Sequence, residues 1–300
     1  MTVSPSRVDA QPTASALGFG LAGVIGFSLT LPFTRYAVPA FGPELVGPGR
    51  SLPAALFAVA LLAVARRPLL PPPRMLPSVV VVTVGAVVGF PLLIAHALRS
   101  VSASHAAVVI ALLPAGTAIM AVLRARERPP MVFWLWCAAG TALVAGYLGF
   151  AADSRFGIGD VELLAAVLLC ALSYAEGGVL SRRVPGWVIT CWSLLAGVPA
   201  VLVIVVVTGV PSRAELTWGA VAAFGYLALG SSLLAFCCWY RALADGGIAK
   251  VGQVQLLQPI LTMIFAAVLL GERLDPAMIP VGLAVGVTVF MAQRARPAER

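Results

Sequence analysis

Residues 97–128 read ALRSVSASHAAVVIALLPAGTAIMAVLRARER, and residues 242–273 read ALADGGIAKVGQVQLLQPILTMIFAAVLLGER. Laid over each other at a shift of 145 residues, ten of the 32 positions coincide. They are Ala97/Ala242, Leu98/Leu243, Val109/Val254, Leu112/Leu257, Pro114/Pro259, Thr117/Thr262, Ile119/Ile264, Ala121/Ala266, Glu127/Glu272 and Arg128/Arg273. A composition this biased gives roughly three coincidences by chance. The Ala and Leu matches follow from apolar bias more readily than the Pro pair and the Glu-Arg pair do. Each stretch is dominated by one long apolar run, and the shift carries the fourth such run of the chain onto the ninth. Five runs is an odd number, so the two copies traverse a membrane in opposite directions. The expected fold is an all-α integral membrane protein of ten transmembrane helices, arranged as two inverted five-helix repeats. Transporters use that architecture, with a substrate site near the midplane where the halves meet.

The rest of the sequence supports a lipid solvent. Hydrophobic residues fill 60% of the 300 positions and charged residues only 11%, against about 25% charged in soluble chains. Mean hydropathy is +0.99. So few charges cannot coat a water-facing surface. Apolar runs of spanning length occur at about 15–36, 44–65, 75–98, 103–123, 131–150, 160–181, 188–208, 216–240, 248–270 and 276–293. Short connections rich in breakers separate them, among them Arg66-Arg67-Pro68, Arg128-Pro129-Pro130 and Asp245-Gly246-Gly247. None is long enough for a soluble domain.

The net charge of +8 would hint at nucleic acid in a soluble protein. Here the basic residues, all Arg except Lys250, form short clusters between apolar runs, as topology determinants do. With the N-terminus in the cytoplasm, fourteen fall inside and five outside (Arg35, Arg99, Arg155, Arg213 and Arg273), while Arg50 lies within the second run. Both termini are then cytoplasmic, in a bacterial inner membrane. The expected layout is a tail at 1–14, a first repeat at 15–150, a second at 151–294 and a tail at 295–300. The competing reading of the first run is a signal peptide cleaved near Ala37-Val38-Pro39-Ala40. The repeat requires that run as a span.

The chain resembles the drug/metabolite transporter superfamily, in particular its ten-helix EamA-type exporters. The resemblance rests on Ala97-Leu98 and Ala242-Leu243, on Pro114 and Pro259 within their runs, on Gly271-Glu272-Arg273 and on Arg50. It covers almost the whole chain, and within that superfamily the likeness is to bacterial exporters of amino acids, aromatic ones included. It implies a central cavity lined by the first, third, fourth, sixth, eighth and ninth helices. The chain departs from the pattern in having Arg126-Glu127 where Gly-Glu is common, and in having no clear second copy of Arg50.

Candidate site residues come from polar or helix-breaking positions in apolar runs. Pro114 and Pro259 each remove one ladder hydrogen bond and free the carbonyl four residues earlier, here Ile110 and Gln255. In lipid such a carbonyl must face protein or a wet cavity. We expect gating hinges at both, the other reading being static kinks. Gln253, Gln255 and Gln258 interrupt the ninth run. They serve either a polar cavity wall or interhelical hydrogen bonding. Their repeat partners on the fourth run are apolar, so an amphipathic solute such as an amino acid would suit the cavity. The expected lining is Phe27, Thr30, Phe90, His96, Ile110, Tyr174, Ser231, Gln255 and Gln258. Ser28, Ser173 and Ser232 are further mid-membrane polar positions. Trp239 and Tyr240, like Phe133, Trp134 and Trp136, read as an aromatic belt at the inner interface.

Other chemistries find little support. The five cysteines sit in apolar runs without a CxxC pair and read as small buried hydrophobes. His96 and His105 lack carboxylate or thiol partners at metal-binding spacing, and no nucleotide-binding phosphate loop is present. We expect no cofactor and no nucleic-acid partner, only a small-molecule substrate and the bilayer. Glu176 is the one acid well inside a run, and Arg182 places it toward the inner face. Facilitated export is therefore expected, with a proton-coupled drug or metabolite antiporter as the alternative. An intramembrane enzyme would need a catalytic constellation and a channel a filter motif. Neither is visible.

Overall fold

The computed structural model describes residues 12–101, 106, 109–150, 157–209, 216–271 and 278–295. Among them it is helical throughout, without strands. The helices are α1 (Ala14–Phe41), α2 (Leu45–Val64), α3 (Leu76–Ala97), α4 (Leu113–Ala125), α5 (Met131–Phe150), α6 (Ile158–Ser181), α7 (Gly186–Thr208), α8 (Trp218–Gly246), α9 (Ile248–Leu269) and α10 (Met278–Arg294). Seven of them, all but α4, α5 and α10, are long and apolar enough among the described residues to cross a membrane. His105, Glu272 and Arg273 lie outside the described residues.

Local chemistry sets the ends. Thr13 caps α1 by accepting the Ala16 N–H at 3.2 Å, and Thr217 caps α8 through the Ala220 N–H at 3.2 Å. At the start of α6 the Asp160 carboxylate accepts the Gly157 N–H at 2.8 Å. α4 and α9 both stop in the left-handed region, at Arg126 (φ 54°) and Gly271 (φ 70°). These two are repeat partners. Glycine adopts that conformation freely, and arginine holds it at a cost. The departure from Gly-Glu at 126–127 therefore keeps the cap geometry while giving up the residue that suits it.

The distribution of polarity runs opposite to that of a water-soluble protein. Leu56, Val64 and Trp218 are 74%, 86% and 89% exposed, whereas Arg50, Glu127, Glu176, Gln253 and Gln255 are buried. An apolar shell with charged and amide side chains turned inward belongs in hydrocarbon. Small residues let the helices approach there. A methyl group on Gly26 would lie 2.8 Å from Ala235 Cβ where α1 crosses α8, and one on Gly85 would collide with the Leu169 carbonyl where α3 crosses α6.

Packing follows a pseudo-two-fold relationship. α2 packs on α7, α4 on α9 and α5 on α10, each against its repeat partner, while α1 packs on α8 and α6 on α3. Each half thus hands its first helix to the other half's third.

Three expectations are corrected by the fold. The first helix runs on to Phe41, through Pro39, because the Gly42 N–H closes it on the Val38 carbonyl at 2.8 Å. The fourth run is not one continuous helix with an internal proline. A turn at residues 111–112 interrupts it, and a new helix begins at Leu113. Trp239, Tyr240 and Phe133 do not form an interfacial belt, being at most 1% exposed. Their large rings fill the interior between helices instead.

Candidate functional site

A narrow cavity lies among α1, α2, α3, α4, α6, α8 and α9, a concave and mostly apolar space with a few polar groups, as small-molecule sites are. Its walls come from places where helices lose regularity. α1 breaks at Leu29, between Phe27 on one side and Thr30, Leu31 and Thr34 on the other. α2 opens with a π-helical stretch, Leu45–Gly49, which supplies Gly47 and delivers Arg50. α3 carries one at Thr83–Gly89, leading to Phe90, Pro91 and Ile94. α8 carries one at Tyr226–Ala235, containing Ser231 and followed by Phe236. The turn before α4 presents Ile110 and Leu113, and a 3-10 stretch in α9, Gln253–Leu257, ends at Gln258. Only Tyr174 comes from an unbroken helix, α6.

Such irregularities place side chains and backbone groups where a straight helix would not, and they cluster at functional sites. They also obey the repeat. The π stretches of α3 and α8 overlap at the 145-residue shift, and the helix restarts at Leu113 and Gln258 coincide under it. The prolines follow at the second position of each restarted helix, where the missing N–H breaks no ladder bond. The Gln255 carbonyl expected to be freed by Pro259 instead accepts the Gln258 N–H across the 3-10 turn.

The structure brings Phe27, Thr30, Phe90, Ile110, Tyr174, Ser231 and Gln258 to this one cavity. Gln255 is not on its surface. It is buried one layer behind, where its Nε2 donates to Tyr174 Oη and to Gln258 Oε1, each at 3.4 Å. Gln253 turns to the other side of α9 and donates to the Pro114 carbonyl at 3.4 Å. The three glutamines thus divide between wall, wall support and interhelical bonding. His96 lies away from the cavity, its Nε2 3.4 Å from Glu44 Oε1. Two residues, about 200° around the helix, separate it from the Ile94 face that lines the cavity, so its ring points toward the α1–α2 connection. α2 joins the helices that the resemblance implied, through Gly47 and Arg50.

One end of the cavity is aromatic. Phe27 and Tyr174 stack at 6.3 Å between centroids, and Phe236 sits edge-on to both, at 4.9 and 6.1 Å. Trp239 backs them at 5.4 Å from Tyr174. The polar side is made by hydroxyls and one amide. Thr30 Oγ1 and Ser231 Oγ share a hydrogen bond of 2.8 Å, tying α1 to α8. Ser28 Oγ donates to the Val24 carbonyl at 2.7 Å, and the Ser28 carbonyl accepts from Thr262 Oγ1 at 3.0 Å, tying α1 to α9. Phe236 also borders a second, smaller space with Ser51, Thr190, Ser193 and Ser232.

From the aromatic end the lining runs through Thr34, Gly47 and Ile94 toward the end of the bundle that carries Gly42 and Glu44. The opposite end of the bundle carries ion pairs. Arg124 holds Glu176 through Nε at 2.9 Å and Nη2 at 2.8 Å, and Ser78 Oγ donates to the same carboxylate. Arg182, which the sequence placed near Glu176, pairs instead with Glu127 at 2.6 Å. Among the described residues no group of three or more His, Cys, Asp or Glu side chains is arranged to hold a metal ion, and the five cysteines are free.

The profile of the EamA-like transporter family matches the chain twice, over residues 14–149 and 157–292. The chain belongs to that family and is a multi-pass membrane transporter. It is similar to the uncharacterised transporter YdeK of Bacillus subtilis (strain 168), with 42% identity over 275 residues, 92% of this chain and 96% of YdeK. An uncharacterised transporter of Clostridium kluyveri is 25% identical over 120 residues, 39% of each chain. A solved crystal structure, described only as that of a protein, shares the fold with a TM-score of 0.77 and 20% identity, over 95% of this chain and 98% of the other.

Of the lining residues that sequence reasoning left out, Arg50 is the charged one. Its signal was present, since an arginine inside an apolar run is costly. Phe236, also missed, carried none: a phenylalanine in an apolar run is ordinary.

Proposed function

We propose that this transporter exports small metabolites, amino acids foremost, across the bacterial inner membrane by alternating access of two inverted five-helix repeats. The layout is a cytoplasmic tail at 1–14, repeats at 15–150 and 151–294, and a cytoplasmic tail at 295–300. The observation that carries the reading is the cavity whose lining is drawn from both halves, aromatic at one end and hydroxyl- and amide-bearing along its side. A small amphipathic solute such as an amino acid matches the chemistry of that lining.

The ion pairs of Arg124 with Glu176 and Arg182 with Glu127 lie at the end that the positive-inside rule assigns to the cytoplasm. They support an outward-facing arrangement, with Phe27, Thr30, Phe90, Ile110, Tyr174, Ser231 and Gln258 contacting substrate and Gln255 supporting them. Both buried glutamates of this end are held by arginine. That favours facilitated export, since a proton carrier needs a carboxylate free to bind and release its proton near the midplane.

The test is counterflow in proteoliposomes preloaded with a panel of amino acids. A carrier accumulates labelled substrate transiently and saturates, and a proton-coupled one also responds to an imposed pH gradient. No counterflow with any amino acid would discard the substrate class. Single cysteines at Leu70 and Phe156 test the topology: labelling by an impermeant reagent from the same side would remove the inverted arrangement.

A further inference from the structure

Arg50 is buried to 5% exposure among helices, and no hydrogen bond or ion pair joins its guanidinium to another described residue. Its Nε is fully buried and without an acceptor, while the side chain lines the cavity beside Thr34, Gly47, Phe90 and Ile94. An arginine is always charged and brings five donors in a planar fork. Leaving such a group unpaired in a bilayer is costly. A purely topogenic arginine would escape by extending its chain to the interface. Arg50 is the sixth residue of α2, roughly 8 Å along the axis from its start, well within reach of the surface. It nevertheless turns inward, at the position that directly follows the π-helical stretch Leu45–Gly49.

The other lining residues supply no counter-charge. They are aromatic, aliphatic, hydroxyl or amide side chains, and no carboxylate is among them. The repeat partner of Arg50 is Leu195, an apolar residue packed in the core of α7, so the cavity holds one fixed positive charge, off centre. Planar bidentate pairing with a carboxylate is what a guanidinium fork does best.

We propose that Arg50 is the anchor for the carboxylate of the transported molecule, and that the site selects a small organic carboxylate with an apolar or aromatic body. The proposal deepens the export reading and rests on it. The carboxylate pairs with Arg50, the body lies against Phe90, Phe27 and Phe236, and Thr30 and Ser231 hydrogen-bond what lies between. With no acidic side chain in the lining, an α-ammonium group meets no fixed negative charge. The site therefore reads the carboxylate and treats the amine as secondary.

The experiment uses the full chain in detergent and in proteoliposomes, with four probes: L-phenylalanine, 3-phenylpropionate, L-phenylalaninamide and inorganic phosphate. Ligand-induced shift of the unfolding temperature and inhibition of counterflow are read together. The two carboxylates should bind and the amide and phosphate should not. Arg50→Gln should weaken carboxylate binding roughly ten- to a hundredfold, with Arg50→Lys between it and the native protein. Because the native guanidinium is unpaired, Arg50→Gln should leave the unliganded unfolding temperature unchanged or raised. A structural arginine would lower it. Carboxylate binding retained in Arg50→Gln, equal binding of the amide, equal binding of phosphate, or no carboxylate binding to the native chain would each overturn the assignment. The first two leave amino-acid transport standing, whereas loss of counterflow across the whole amino-acid panel discards the amino-acid substrate class on which this proposal rests.

Discussion

Glu127 accepts a hydrogen bond from Arg182 Nη2 at 2.6 Å and, with the same carboxylate, takes the N–H groups of Ile248 at 3.0 Å and Ala249 at 2.8 Å. One side chain in the α4–α5 connection thus caps the first turn of α9 and ties it to the end of α6. The N-terminal N–H groups of α9 would otherwise lack acceptors, since Gly247 offers no side chain. Glu127 belongs to the matched Glu-Arg pair of the repeat, and its partner Glu272 lies outside the described residues.

Removing that carboxylate should loosen the closed end. Glu127→Ala leaves two helix N–H groups and a guanidinium unsatisfied, a loss on the order of 3 kcal/mol for a buried pair broken on one side. We expect a lower unfolding temperature and a shift toward the arrangement open at the cytoplasmic end. A single cysteine at Thr30 should then label faster from that side. Unchanged labelling would show that the cap stabilises α9 without gating it.

Arg126 offers the opposite test. It holds φ at 54° where its repeat partner Gly271 holds 70°. A left-handed conformation costs a non-glycine residue about 1–2 kcal/mol, so Arg126→Gly should raise the unfolding temperature or leave it unchanged, with transport intact. A marked fall would mean that the arginine side chain contributes more than the strain it imposes.

The glutamines of α9 separate substrate contact from support. Gln258→Leu removes an amide from the cavity wall and should reduce affinity more than stability. Gln255→Leu strips Tyr174 of the donor at 3.4 Å and should cost stability as well, by about 1 kcal/mol. Thermal unfolding and half-saturating substrate concentration, measured on the same preparations, check both. Equal effects at the two positions would erase the distinction between wall and support.

The repeat was legible because Pro and Glu-Arg are rare enough to register against an apolar background, and the spans because lipid demands long apolar runs. The site was legible where a polar or aromatic side chain interrupted a run, as at Thr30, Tyr174, Ser231 and Gln258. The irregular stretches were hidden. A π-helical turn such as Thr83–Gly89 has no residue signature of its own, being TVGAVVG in a run of valines, although it packs against α6 and α7. His96 misled because position along a run does not fix the direction of a side chain, and Trp239 because a large ring near a span end reads alike whether it faces lipid or protein.

The proline pair tests the mechanism as a whole. Pro114 and Pro259 are second residues of helices that restart after a turn and after a 3-10 stretch. In that place a proline sacrifices no hydrogen bond, but its ring crowds the carbonyl four residues earlier and so disfavours one continuous helix. Alanine restores an N–H and lifts the crowding. Pro259→Ala allows the Gln255 carbonyl to exchange its 3-10 partner, the Gln258 N–H, for an α-helical one. Residues 253–258 would then rotate, moving Gln258 relative to the cavity. Pro114→Ala should do the same for Ile110 and Leu113. Stability should change by no more than about 1 kcal/mol, because no buried contact is lost. Turnover should fall more than binding, because what is lost is ease of passage between two arrangements. If the halves are inverted, the two substitutions act on opposite ends, and a cysteine in the cavity should become more accessible from outside in one variant and from inside in the other. Unchanged turnover in both would reduce the prolines to helix starts without a role in gating. A bias of the same sign in both would keep the gating role and discard its symmetry.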